Sequence, residues 1–480
     1  MTQMIIEKAR AFRNELYQIF KCRRDVIMQL IDTVAAQNHK ESVVQLSLSS
    51  LFDRGYSSIT DALSNFFCKN PDTPLDKEEL KKQQSELSHL IFRHSVGVSK
   101  SPVLKLIVDC SSTGRIHSKK LTDRSFVHTP NKIPGQKPIT VGHQYSTVVL
   151  LPEKTDSSVA WVPPLSVVRV TSEEKGAAVG MQQIQEILKI PELSQALVIS
   201  VGDTAYSETG NLLQIEECPN YLHLARIRSN RVFYYLPTED QEKRGKGRPR
   251  IYGEKFALNN PGIATETVEV KKISKKGKGL CLKIERYENL LAKVRNGKSK
   301  VQPIICDVVR VTVCTPEGVA LYKKPLWIMV NGKRRKELSL EEVAETYFSR
   351  FDIEHYFRFC KQKLLLTGIQ TPDTRHEENW QWICLLAYQM LYMSRNLAQE
   401  IRYPWEKARA HKKEGTEKSP SQVHRDFERI IREIGTPAKS SKPRGKSPGR
   451  LKGAIIHKRE DQPIVKKSKK EKKTAQKLAA

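Results

Sequence analysis

Three acidic residues stand out for chemistry. Asp109 closes one apolar run, VLKLIVDCSS, and Asp203 closes another, QALVISVGDTAYS. Glu354 lies in YFSRFDIEHYFRFCKQK (347–363), among Arg350, Arg358 and Lys361. Converging carboxylates repel one another unless a hard divalent cation lies between them. Two Mg²⁺ held roughly 3.5–4 Å apart by carboxylates stabilise both the attacking and the leaving oxygen of a phosphoryl transfer. Asp109, Asp203 and Glu354 are therefore candidate catalytic and metal-ligating residues of one two-metal site. Tyr347, Arg350 and Lys361 are candidate phosphate contacts beside it.

The spacing around Glu354 supports that grouping. On a continuous helix counted from Arg350, Tyr347 falls near ~60°, Glu354 near ~40°, Arg358 near ~80° and Lys361 near ~20°. All lie in one polar arc, opposite Phe348, Ile353, Tyr356, Phe357, Phe359, Cys360 and Leu364. An Arg350–Glu354 surface pair would explain part of the pattern, at a few tenths of a kcal/mol. It does not explain a cationic strip around one acid with two more acids at strand ends upstream. A strand end is a rigid place from which to project a catalytic side chain. His355 points away from Glu354 and reads as structural. Asp123 and Asp307 read as a loop acid and an insertion acid outside the site.

Those residues need elements to hold them. Residues 1–95 read as helical, an accessory or DNA-end-binding domain. From about residue 100, short β-rich runs surround a helix at MQQIQEILKI, which predicts a mixed α/β sheet over 96–230. Residues 231–325 carry many short β segments and a basic loop, KRGKGRPRIYGEKF. This reads as a β-rich insertion. Residues 326–410 return to helical periodicity. Residues 411–480 read as a flexible basic tail. The final 42 residues hold 15 Lys or Arg against three acids.

Composition narrows the partners. The 480-residue chain carries a net charge of +29, which favours polyanions, nucleic acid before an anionic membrane. No apolar run is long enough to span a bilayer and no signal peptide is recognisable, so no membrane role is expected. The nine cysteines are scattered without a C-x-x-C pair. That argues against a disulfide framework or a zinc site and fits a reducing cytoplasm.

Tyr347, Arg350, Glu354 and Lys361 form Y-x2-R-x3-E-x6-K. With LIVDCS at Asp109 and VGDTAYS at Asp203, where Tyr206 completes D-x-x-Y, the chain resembles the DDE insertion-sequence transposases with a YREK signature, the type named after insertion sequence four. The motifs cover about residues 100–400. The resemblance implies an RNase H-like core, a mixed sheet flanked by helices, with its β-rich insertion between the second Asp and the Glu. It implies Mg²⁺ (two ions, with Mn²⁺ able to substitute) and cut-and-paste transposition through a DNA hairpin. The partners would be double-stranded DNA, as terminal inverted repeats and target, and a second copy in a synaptic homodimer. The setting would be the prokaryotic cytoplasm, on the nucleoid.

By the same resemblance Trp327 stacks on a flipped base, or else packs in the core. Arg226 and Arg228 touch DNA backbone, or else form a solvated strand face. Arg248 and Arg250, in GRPR, match the core of a minor-groove AT-hook. A basic hairpin loop making general phosphate contact explains four residues as well. Two rival functions stay open: a non-catalytic binder of DNA ends, and an RNase H-like nuclease without strand transfer.

Overall fold

The computed structural model describes residues 2–466 apart from 39–40, 69–74, 96–102, 131–134, 136, 153–158, 214–216, 239–249, 274–278, 295–302, 402–416, 444–448, 450–451 and 456–457. Four helices open the chain: α1 (Thr2–Ile19), α2 (Arg24–Ala36), α3 (Ser57–Ser64) and α4 (Lys77–Ser95). The sheet begins with β1 (Val103–Gly114), β2 (Ser125–His128), β3 (Ile139–Leu151) and β4 (Pro164–Val170). Helix α5 (Gly176–Ile187) then crosses to β5 (Leu197–Gly202), and α6 (Thr209–Leu212) leads to β6 (Tyr221–Arg226).

β3 pairs antiparallel with both β1 and β4, while β5 lies parallel to β1 and β6 parallel to β5. The resulting order β4-β3-β1-β5-β6 is the RNase H-like arrangement. β5, LVISVG, is buried along its whole length, as a central parallel strand covered on both faces must be.

The β-rich insertion does not stand apart from this sheet. Its strands are β7 (Val232–Tyr234), β8 (Lys255–Ala257), β9 (Glu266–Ile273), β10 (Gly279–Ala292) and β11 (Ile304–Cys314). Through β12 (Leu326–Asn331), which pairs with both β6 and β11, they extend the core into one twelve-stranded sheet. Three more helices follow: α7 (Leu340–Ser349), α8 (Asp352–Lys363) and α9 (Thr374–Met393). A capping box between Ser339 and Glu342 starts α7. From Trp380 to Met393 every residue of α9 is buried.

α9 is where the first four helices meet the sheet. Phe12, Leu16, Ile27 and Leu30 share one apolar cluster with Trp380, Leu386 and Val148. The helical region expected as an N-terminal domain is therefore continuous with the core. A deeply buried ion pair there, Arg13–Asp32, has both guanidinium nitrogens on the carboxylate at 2.5 and 2.7 Å.

Two expectations change here. Part of the segment read as a flexible tail is folded: α10 (Pro420–Ile434) buries Val423, Phe427, Ile430, Ile431 and Ile434. Five apolar residues at helical spacing outweigh the basic composition around them. Arg10 Nε donates to the Ile434 carbonyl at 2.7 Å and Arg13 Nε to that of Gly435 at 3.0 Å. Further on, Val465 N donates to Arg124 O at 2.8 Å, alongside the edge strand β2. The second change concerns cysteine. Cys22 and Cys68 form a disulfide, while the other seven cysteines are free. The two lie 46 residues apart, and helix packing rather than a spacing motif brings them together.

Candidate active site

The site is built on the parallel pair β1–β5. Their register runs from Val103↔Leu197 to Ile107↔Val201. Two residues further along, Asp109 comes level with Asp203, one strand spacing away. Asp203 follows the last residue of β5, as its sequence suggested. Its carboxylate caps the next turn, accepting from Ala205 N at 2.8 Å.

Asp109 is not at a strand end. β1 continues to Gly114, with Asp109 opposite Thr147 of β3. Its polar second half, CSSTG, pairs through backbone on β3, so loss of apolar residues did not mark loss of strand. The β1–β5 pairing ends at Ile107, two residues before Asp109.

Tyr206 explains the D-x-x-Y spacing. Its ring is buried under the turn that carries Asp203, and its hydroxyl lies 3.6 Å from Cys110 Sγ. Two glycines make room for it. A Cβ on Gly202 would sit 2.6 Å from Tyr206 Cβ, and one on Gly180 would sit 2.8 Å from its Cε1.

Glu354 arrives from the opposite side on α8. The stretch read as one helix is two, α7 and α8, broken at Arg350 and Phe351. The break is a tight turn in which Glu354 N donates to Phe351 O at 3.1 Å. It carries the Arg350 side chain between two carboxylates. Arg350 Nη1 lies 3.6 Å from Asp109 Oδ2, and Nη2 lies 3.7 Å from Glu354 Oε1. The guanidinium also lies over the Tyr347 ring, 6.0 Å from its centroid.

Burial raises the Asp109 carboxyl to about 6, and the negative charges of Asp203 and Glu354 push the same way. The Cys110 N–H, donating to Asp109 Oδ1 at 2.7 Å, and the Arg350 cation oppose the rise. Three carboxylates thus share one field in a half-buried place. A hard divalent cation would relieve that strain, so the donor set fits one. Among the described residues no three His, Cys, Asp or Glu side chains are yet gathered tightly enough to hold an ion.

The break in the helix corrects several side-chain directions. Tyr347, expected on the polar arc, is buried among Val343, Leu340 and Val330, and so backs Arg350 rather than reaching solvent. Phe348, expected in the core, is 42% exposed, and Phe351 is 47% exposed. The Phe351 ring meets His355 edge to face at 5.4 Å. The exposed rings of Phe348 and Phe351 are what the sequence reasoning missed. A polar arc drawn across an unbroken helix could not find them.

Lys361 is half-buried. Its ammonium donates to the Ser112 carbonyl of β1 at 3.2 Å, and burial lowers its pKa. Arg226 and Arg228 are exposed at the end of β6 around the buried Ile227. Arg226 is near enough for its charge to act on the Tyr347 phenol.

Trp327 does not fit the expectation of base stacking. It is 3% exposed in β12, with Tyr287 tilted against it at 5.9 Å and the Arg310 guanidinium over its ring at 5.8 Å. A ring enclosed in this way has no face to offer a base. Arg250 is exposed, its Nε donating to Tyr252 O at 2.8 Å, and Arg248 lies outside the described residues. Asp307 and Asp123 are occupied elsewhere, by Arg335 at 2.9 Å and Arg169 at 2.5 Å.

Comparison with known proteins bears on this arrangement. The profile of the family described as DDE superfamily endonuclease matches residues 15–279, more than half of the chain. The chain belongs to that family. The matched span includes Asp109 and Asp203 and stops before Glu354. The family's description is that of an endonuclease, and three acids in one field are a donor set compatible with a divalent metal ion. Among solved structures it is similar to a chain of the crystal structure of the Mos1 strand transfer complex, at 13% identity and a TM-score of 0.14. That similarity covers 40% of this chain and 55% of the other, so it spans little more than half of the solved chain. No curated protein matches.

Proposed function

We propose that this endonuclease is a cut-and-paste transposase of an insertion sequence, of the YREK type, with Asp109, Asp203 and Glu354 as its catalytic and metal-binding residues. The observation that supports the reading is that the charges of Asp203 and Glu354 both act on the Asp109 carboxyl. Asp109 and Asp203 come level on neighbouring parallel strands, and Glu354 is linked to Asp109 through Arg350. Two Mg²⁺, when bound, would supply charge neutralisation at the scissile phosphate and a more acidic water.

The chain's own groups would do the rest. Arg350 offers a planar fork suited to a phosphate, and Arg226 and Arg228 extend the cationic edge along β6. Lys361 fixes α8 on β1 and, where its ammonium reaches past Ser112, adds a phosphate contact. Phe348 and Phe351 provide exposed aromatic faces beside the reacting strand. Arg248 and Arg250 add sequence-independent attraction, as does the basic C-terminal region. Tyr206 and its two glycines keep Asp203 in place.

In this reading hydrolysis at the element's end leaves a 3′-OH. That hydroxyl attacks the opposite strand to give a hairpin, which is reopened before joining to target DNA. Holding two terminal inverted repeats calls for a homodimer, and the setting is the prokaryotic cytoplasm. Helices α1–α4, packed on α9, would take part in holding the DNA end.

The test is cleavage of a labelled duplex carrying the element's own end, with Mg²⁺, by the parent and by Glu354→Gln. The parent should give hairpin and released flank. The variant should bind and not cut. Equal cutting by both would remove Glu354 from the site. Cut ends that never join a target would leave a nuclease instead.

A further inference from the structure

The position of Arg350 says more than that it waits for a phosphate. Its two terminal nitrogens face different carboxylates, Asp109 on the sheet and Glu354 on α8, at 3.6 and 3.7 Å. Carboxylates sharing one Mg²⁺ must each come to about 2.0–2.1 Å from the ion. A guanidinium lying between them keeps them further apart than that and already satisfies part of their charge.

We infer that Arg350 is an internal occupant of the cation site, and that it must leave the Asp109–Glu354 gap before a divalent ion can be shared across it. The inference rests on the metal-site reading above and goes beyond it. Arg350 has two alternative partners, the carboxylate pair and a DNA phosphate, and binding of DNA is what frees the gap. The endonuclease off DNA is thereby poorly loaded with metal, which restrains indiscriminate hydrolysis.

Local structure supports two positions for this side chain. Arg350 sits in the break between α7 and α8, outside either helix body. Neither of its carboxylate contacts is a close hydrogen bond. The Tyr347 ring at 6.0 Å offers a surface along which the guanidinium can move. Asp203 is not engaged by Arg350 in any ion pair among the described residues. Asp203, whose carboxylate caps its own turn, is therefore not held by Arg350 while the other two acids are bridged.

The test is Mn²⁺ binding to the metal-free full chain, read from the free-ion spin-resonance signal, without DNA and without turnover. Arg350→Gln should bind Mn²⁺ more tightly than the parent by about five- to 150-fold, the usual span of a coupling between two sites. Arg358→Gln removes an exposed charge one turn beyond Glu354 and should leave affinity within about twofold. That comparison separates bridging from net charge. Arg350→Lys keeps the charge but not the fork, and should fall between the parent and Arg350→Gln. It carries the test if the Gln variant does not fold.

Tighter binding in Arg350→Gln, or in Arg350→Lys where the Gln variant does not fold, supports the inference. Parent binding with equal or weaker binding in both Arg350 variants overturns it and leaves the metal site intact. An equal gain in Arg358→Gln also overturns it. Absence of Mn²⁺ binding in parent and variants alike overturns the metal-site reading, and this inference with it.

Discussion

Gly202→Ala tests whether Tyr206 positions the acids. The added carbon would lie 2.6 Å from both Cβ and Cγ of Tyr206. That is about 1 Å inside ordinary carbon contact. Tyr206 has nowhere to go: it is 2% exposed, and Gly180 of α5 holds its far edge. Overpacking of this kind costs about 1–3 kcal/mol, even after part is offset by reduced freedom of the unfolded chain.

The relief available is movement of the turn at Thr204–Ser207, which carries Asp203 at its start. Cleavage should therefore fall further than stability alone dictates. Urea unfolding gives the stability change, and end cleavage at a temperature where both proteins are folded gives the activity. Gly55→Ala is the reference, since nothing lies within 4 Å of its added carbon. It should be neutral or stabilising by up to about 1 kcal/mol. Tyr206→Leu in the Gly202→Ala background should recover part of the lost stability, as expected of residues in contact. If Gly202→Ala is as stable and as active as Gly55→Ala, the packing argument is wrong.

Two further outcomes follow from the site. The Asp109 carboxyl is raised to about 6, so the metal-free protein is favoured by protonation there. That stability is fully present below the ordinary carboxylate range and is lost as pH rises through about 6. Melting in a chelator should show a falling Tm from about pH 4 to about 6, and excess Mg²⁺ or the Asp109→Asn substitution should remove the fall. A Tm that rises over that window in the parent only would contradict the assignment. The two aromatic environments should also separate. Trp327→Ala should cost about 3–5 kcal/mol in urea unfolding, as a large core truncation does. Phe351→Ala should leave stability within about 0.5 kcal/mol and weaken DNA binding in anisotropy titrations.

Much of this was legible in the residues, for identifiable reasons. Asp203 follows a buried parallel strand whose apolar run is unmistakable, and Tyr206 three positions on is fixed by a turn. The mixed sheet, the helix at α5 and the β-rich insertion all showed in local periodicity. Other features depended on tertiary pairing. β1 runs past Asp109 because β3 accepts its backbone, whatever the side chains. The break at Arg350 has no Gly or Pro to announce it. Consequently Tyr347 and Phe348 exchange the surroundings that an unbroken helix assigns them. Trp327 could be resolved only by its neighbours Tyr287 and Arg310, both distant in sequence. α10 was hidden by the charge of the residues around it.

The bonds from Arg10 and Arg13 to the carbonyls of residues 433–435 also bear on how the protein is made. Arg10 and Ile434 are separated by 424 residues. At about 5–20 residues per second of synthesis, the first helix waits roughly 20–85 seconds for its last contacts to leave the ribosome. Until then α1 lacks α10, and the cluster around α9 lacks one of its walls. In a chain closed in this order the acids, the insertion and much of the basic surface are synthesised before α10 can seal the first helix against the core.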